Sequence, residues 1–505
     1  MTLQPIATLT LALLALLLPW AAPTNAAAAQ PAAASADATE ERWYSVELSG
    51  QRAGWMRSAR VEADGLITST EEMNLTISRG SVNIKVRAVS EHVETTEHEP
   101  VSVKTVQEFG ALPQEVRVRF LDDGRLAVTR STAGLVGPED IFDAPAEDWL
   151  TPSQVAEHLT GVIEAGGSST RLSVFDPLMA MGPTELSYDG FERTELNLMG
   201  RRVPAYRVTS TSQALGGVSS VEFLSAAGET LKTETAIGGI ELTMTTTTKE
   251  LALGEIEAPE LMVSTFVKPA EPIAGARTSR TATYSLSKDD GSPVVVPSVA
   301  GQTFRTDAGR SLVDVSVGGT SLATDRDLSE SMSASSAINH EDAAIIALVD
   351  RARPDADAPA ALRAEAIRRF VHRYVETKSL GVAFASASEV AKTREGDCTE
   401  HAVLLAALLR ADGIPARVAS GLVYADAFAG ERDVFAYHMW TQAALPSGGG
   451  HAWTDLDATF SGSRAFDATH ITIGTSNLPD DAPLEGFLEM MPLIGTLQIQ
   501  VESLE

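Results

Sequence analysis

Gly396-Asp-Cys-Thr-Glu-His-Ala-Val-Leu-Leu-Ala-Ala-Leu-Leu-Arg-Ala-Asp-Gly-Ile-Pro-Ala-Arg417 is the stretch on which the reading of this chain turns. Thr399 to Arg410 is built of strong helix formers, with Leu405, Leu408 and Leu409 on one face. Gly413 followed by Ile414-Pro415 supplies the stop. Gly396 and Asp397 stand just before the helix, so Cys398 is expected in its first turn. There the unpaired N–H groups and the positive end of the helix dipole favour thiolate over thiol. Thiolate is the form of cysteine that attacks a carbonyl carbon, so the position suits a nucleophile.

A nucleophile also needs a base that is itself oriented. Tyr437-His-Met-Trp-Thr-Gln-Ala-Ala-Leu445 and His451-Ala-Trp-Thr-Asp-Leu-Asp-Ala458 read as two strands joined by Pro446-Ser-Gly-Gly-Gly450. In an antiparallel hairpin, opposed residues share a constant index sum. A turn centred between Ser447 and Gly448 sets that sum at 895, which pairs His438 with Asp457 and Trp440 with Asp455. The first pair would then lie ~5 Å apart at Cα, close enough for a carboxylate to fix an imidazole tautomer. His451 is the rival base, but it stands about 20 Å from Asp457 along the same strand. Asp455 is a weaker rival for the acid, since it would oppose Trp440; His401 and His470 are read as structural, as are His92, His98 and His158, which are expected at the surface or in turns.

Bulk composition narrows the function classes. The chain has 505 residues, 44% hydrophobic and 21% charged, as expected for two or three globular domains. A net charge of -29 argues against nucleic-acid binding, which requires a basic surface. Cys398 is the sole cysteine, so no internal disulfide can form. The histidines lack the i, i+4 spacing of a zinc helix, and no Asp-x-Asp-x-Asp-Gly calcium loop occurs. Neither metal nor cofactor is expected.

Working outward, residues 1–26 read as a secretory signal peptide: Ile6 to Leu18 has the length of an apolar h-region, and small residues follow. No Lys or Arg precedes that run. Export to the periplasm or beyond is expected, with no stable membrane insertion after the signal is removed. Residues 27–40 read as an Ala/Gln/Pro/Ser-rich spacer. From 41 to 268 the chain alternates apolar and polar residues, as in Asn83-Ile-Lys-Val-Arg-Ala88, with turns such as Asp64-Gly65. This is expected to be a large antiparallel sheet with one helix near Ser153 to Ala165. A smaller strand-rich piece occupies 277–325, and helical texture begins at about 335. Within it, Ile367, Phe370, Val371 and Tyr374 mark the buried face of a helix starting at Pro359.

Gly396-Asp-Cys-Thr-Glu-His-Ala402, Asp412-Gly-Ile-Pro-Ala-Arg417, Tyr437-His-Met-Trp440 and Trp453-Thr-Asp-Leu-Asp-Ala-Thr459 form an ordered Cys…His…Asp series. In these segments the chain resembles the transglutaminase-like superfamily, specifically its bacterial exported members, over roughly 335–480. The resemblance implies an α+β fold with a papain-like core, in which a Cys-bearing helix packs on an antiparallel sheet. It also matches Cys398 to the nucleophile, His438 to the base and Asp457 to the carboxylate. The implied chemistry is a thioester formed from an amide of a protein or peptide substrate, followed by amine transfer or hydrolysis. Some members steady the oxyanion with an aromatic side chain, for which Tyr374 and Phe384 are the available residues. A non-catalytic peptide-binding module on the same core is the alternative.

Overall fold

The computed structural model describes residues 40–505, apart from short internal segments of which 379–384 and 481–488 are the longest. The expected signal peptide and nearly all of the spacer, like Phe384, lie outside the described residues. The chain divides into two compact units, the first ending at Glu260 and the second running from Leu261 to Glu505.

Alternation of apolar and polar residues produces a 14-stranded antiparallel sheet in the first unit. Eight strands meander from Glu40–Leu48 to Leu135–Asp143, and six more return from Ser169–Phe175 to Ile240–Thr247. The return closes on the start, with Trp43 opposite Thr247 and Leu48 opposite Leu242. One helix, Pro152–Glu164, begins at the N-cap Thr151. Its Val155, Leu159 and Ile163 pack on Leu172, Leu186, Tyr188, Val208 and Leu224. His92 departs from the surface position expected of it: its strand turns it inward, it is buried, and burial lowers its pKa to about 4.

The boundary expected at 268 lies inside the second unit, because Val267 and Phe435 exchange backbone hydrogen bonds of 2.8 and 2.9 Å. The strand-rich segment also shares a sheet with the C-terminus. Thr281–Lys288 pairs on one side with Arg310–Ser316 and on the other with Leu497–Leu504. A second, five-stranded sheet has the order Ser321–Leu322, Gly450–Leu456, Glu431–Ser447, Ala416–Phe428, Ile471–Ser476.

The helix Cys398–Ala411 packs against that second sheet and against the helices Ala343–Ala352, Ala360–Tyr374 and Ala387–Thr393. Every residue from Thr399 to Arg410 is buried, as befits a helix apolar nearly all round. Its far end is tied down by Asp412, whose carboxylate meets Arg353 at 2.9 Å and Arg363 at 2.8 Å. Gly413 then takes the positive φ that ends the helix. Among the described residues, no helix is long and apolar enough to cross a membrane.

Candidate active site

Cys398 is the first residue of its helix, one position after the N-cap Asp397. Its sulfur is half-buried, and the backbone N–H of Met439 is directed at it from the neighbouring strand. Thr441 Oγ1 donates to Ala402 O at 2.9 Å, fastening the helix to the same strand. That strand, Glu431–Ser447, carries His438 beside Met439. The ring nitrogen Nε2 of His438 lies 2.7 Å from Asp457 Oδ2, and both side chains are buried.

His438 and Asp457 therefore meet, but not as direct cross-strand partners. The hairpin pivots on Gly448 and Gly449, both at positive φ, with Ser447 opposite Gly450. A two-residue turn needing positive φ at both positions selects the two glycines over Ser447. Opposed residues thus share an index sum of 897 where 895 was expected. A slip of two residues keeps every side chain on its face, so the diagonal neighbours still touch. Asp455 correspondingly lies opposite Gln442, and it accepts from the Trp440 indole and the Gln442 amide, each at 2.9 Å.

Residues 346–458 match the model of the transglutaminase-like superfamily. This segment is a transglutaminase-like core. No curated protein matches the chain. Among solved structures, a β-barrel-like protein of a domain of unknown function from Brucella abortus is similar over 41% of this chain and 95% of its own, at 13% identity and TM-score 0.33. A candidate cysteine protease from Cytophaga hutchinsonii is similar over 45% of this chain and 86% of its own, at 16% identity and TM-score 0.28.

One expectation about the transglutaminase-like core is overturned. The helix N-terminus does not leave Cys398 as a ready thiolate; burial pushes the thiol well above its ordinary pKa, and Asp397 and Glu400 push in the same direction. The cap adds to the effect of burial. Asp397 accepts the Thr399 N–H at 3.0 Å, and Glu400 Oε2 accepts the Asp397 N–H at 2.9 Å. Asp397, together with Glu400, whose own carboxyl is pushed well up by burial and by Asp397, thus occupies the end of the helix that would otherwise favour an anion. The Met439 N–H and the Thr399 hydroxyl act in the opposite direction and lower the thiol pKa.

The site also contains two supports that sequence reasoning missed. His470 Nε2 lies 3.2 Å from the same Asp457 Oδ2 that His438 uses, and its ring is fully buried. Burial would raise the Asp457 carboxyl, yet His438 and His470 together hold it well below the usual carboxylate range. Asp457 Oδ1 takes the Thr459 N–H at 2.6 Å. His438, Asp457 and His470 bring ligand-type atoms within 4.8 Å of one another, but these atoms are engaged in hydrogen bonds to one carboxylate.

The second support is Arg368. Its guanidinium donates to the carbonyls of Asp457 at 2.9 Å, Phe460 at 3.1 Å and Gly462 at 3.0 Å. A sequence signal existed, since Arg368 falls on the buried stripe of its helix with Ala364, Ile367 and Val371. A charged residue on such a face requires partners. The rival histidines are elsewhere occupied. His451 stands opposite Pro446 at the turn end of the hairpin, and His401 Nδ1 contacts Asp397 O. Tyr374 is committed to Ala391 O at 2.6 Å.

Proposed function

We propose that this transglutaminase-like core has a papain-like arrangement and acts on amide bonds of proteins or peptides through a thioester on Cys398. The observation that carries the reading is the 2.7 Å contact between the buried His438 and Asp457, on the strand whose Met439 N–H is directed at the sulfur. With Nε2–H donated to Asp457, His438 keeps Nδ1 as its free basic nitrogen.

Because the resting thiol is neutral, deprotonation accompanies attack. Nδ1 of His438 takes the thiol proton as sulfur bonds to the amide carbon, and Asp457 offsets the imidazolium charge. The C–N bond then breaks, with the departing amine receiving the proton from His438. Water or a second amine then attacks the thioester and gives a proton to His438, which passes it to sulfur as the C–S bond breaks and the acid or new amide leaves. Backbone N–H groups at Cys398 are the natural donors to the oxyanion. The short apolar run from Ile6 to Leu18, of secretory h-region length, favours an exported enzyme working on extracytoplasmic protein or peptide.

A non-catalytic peptide-binding module is the second reading, favoured by the raised pKa of the Cys398 thiol. Incubating the protein with a glutamine-rich protein and a labelled primary amine separates the outcomes. Incorporation of the amine supports transfer, and release of ammonia or new chain termini supports hydrolysis. Neither product, with Cys398 unmodified by either partner, supports the binding module.

A further inference from the structure

Beyond Asp457 the network continues inward. His470 Nδ1 faces Asp467, at 3.0 Å from its carbonyl, 3.4 Å from Oδ1 and 3.4 Å from its backbone N–H, so an acceptor stands within reach of each ring nitrogen of His470, the nearest group to Nδ1 being the carbonyl. Asp467 in turn pairs with Arg277 at 2.7 Å. The ring is held flat by Phe466, which stacks on it with centroids 4.0 Å apart. Trp440 and Phe460 meet it edge-on. A buried imidazole is costly unless its polar edges are satisfied, and here both are, on opposite sides.

We propose that His470 is a positioning residue: its Nε2–H is a second donor to the Asp457 Oδ2 that His438 uses, so that the carboxylate cannot turn away from the catalytic ring. The inference rests on the reading of Cys398, His438 and Asp457 as a catalytic unit. Without His470, the Asp457 carboxylate loses one of the three hydrogen bonds described for it, keeping His438 on Oδ2 and the Thr459 N–H on Oδ1. An unrestrained carboxylate lets His438 rotate and exchange tautomers, and Nδ1 is then no longer held as the acceptor toward sulfur. Asp457, Asp467, His438 and Asp455 are the titratable groups facing His470, with Arg277 acting through Asp467. Burial lowers the His470 pKa, but Asp457 and Asp467 outweigh it and raise it to about 9, consistent with N–H donors on both ring nitrogens at neutral pH.

The test uses the single thiol of the full chain. Iodoacetamide alkylation of Cys398 is followed by intact mass from pH 5 to 9 in wild type, H438A, H470F and H470Q. Phe at 470 keeps the ring packing and loses both N–H groups, whereas Gln keeps a donor within reach of Asp457. H470F is expected to react about ten-fold more slowly at pH 7, with its inflection moved upward, while H470Q stays within about three-fold of wild type. Asn, with its amide one carbon shorter, replaces Phe in the comparison if the Phe variant does not fold. H470F, or its Asn substitute, matching the wild-type rate and profile, while H438A is slow, overturns the positioning role and leaves the triad standing. H438A matching wild type overturns the catalytic reading itself.

Discussion

Asp457 sits two residues out of cross-strand register with His438, yet its Oδ2 lies 2.7 Å from the ring. Diagonal contact of this kind puts the carboxylate just beyond the strand Gly450–Leu456, in the segment that Arg368 grips by its carbonyls. The position of the carboxylate thus depends on a helix and a loop as well as on the hairpin. This arrangement sets the expected outcomes below.

Replacing Cys398 by Ala removes a half-buried sulfur at a helix start and little packing. Amide turnover should be abolished, with stability changed by no more than about 1 kcal/mol by chemical denaturation. A large loss of stability would identify a structural thiol.

Asp457→Asn keeps the size of the side chain but turns an acceptor-only group into one with a donor, and it removes the charge that supports imidazolium. Turnover should fall by roughly two to four orders of magnitude, with substrate binding little altered. A kcat within a few-fold of wild type would remove Asp457 from the mechanism.

Gly396 has a φ of 154°, and a Cβ there would collide with Cβ and Cγ of Glu400. Glu400 cannot yield, since its two oxygens accept from Asp397 N at 2.9 Å and Ala385 N at 3.1 Å. Gly396→Ala should therefore cost about 1–3 kcal/mol and slow Cys398 alkylation, because the collision displaces the helix start. A melting temperature and alkylation rate equal to wild type would show that the turn is slack.

His470 predicts a pH dependence of stability. Its folded pKa, about 9, lies above the unfolded value of 6.5, so its contribution is complete below pH 6.5 and is lost as pH rises through 9. The stability advantage of wild type over H470Q should shrink across that window, by up to about 3 kcal/mol. A constant difference from pH 6 to 9.5 would mean that His470 does not titrate with folding. Asp457, held low, acts in the opposite direction and withdraws its stabilisation only in strong acid.

Much of the fold was legible because local signals agreed. Alternation marked the strands of the first unit, and helix formers between Asp397 and Gly413 marked the Cys-bearing helix to within a residue. His438 and Asp457 were legible as a pair because a two-residue error in turn placement preserves the face of the strand. The error itself came from choosing Ser447 where the glycines alone tolerate positive φ. His470 and Arg368 were not paired with Asp457 in advance because their contacts are set by tertiary packing, 13 and 89 residues away along the chain. The acidic cap shows a different limit. Asp397 and Glu400 were visible in the sequence, but their opposition to a thiolate follows from burial, which no local pattern records.

The most direct measurement is the second-order rate of Cys398 alkylation at pH 7 in wild type and in the H438A variant, with folding of both checked by circular dichroism. An imidazole that draws the proton from this half-buried thiol should make the wild type at least about ten-fold faster. Equal rates in two folded proteins would contradict the assignment of His438 as the base and, with it, the thioester chemistry.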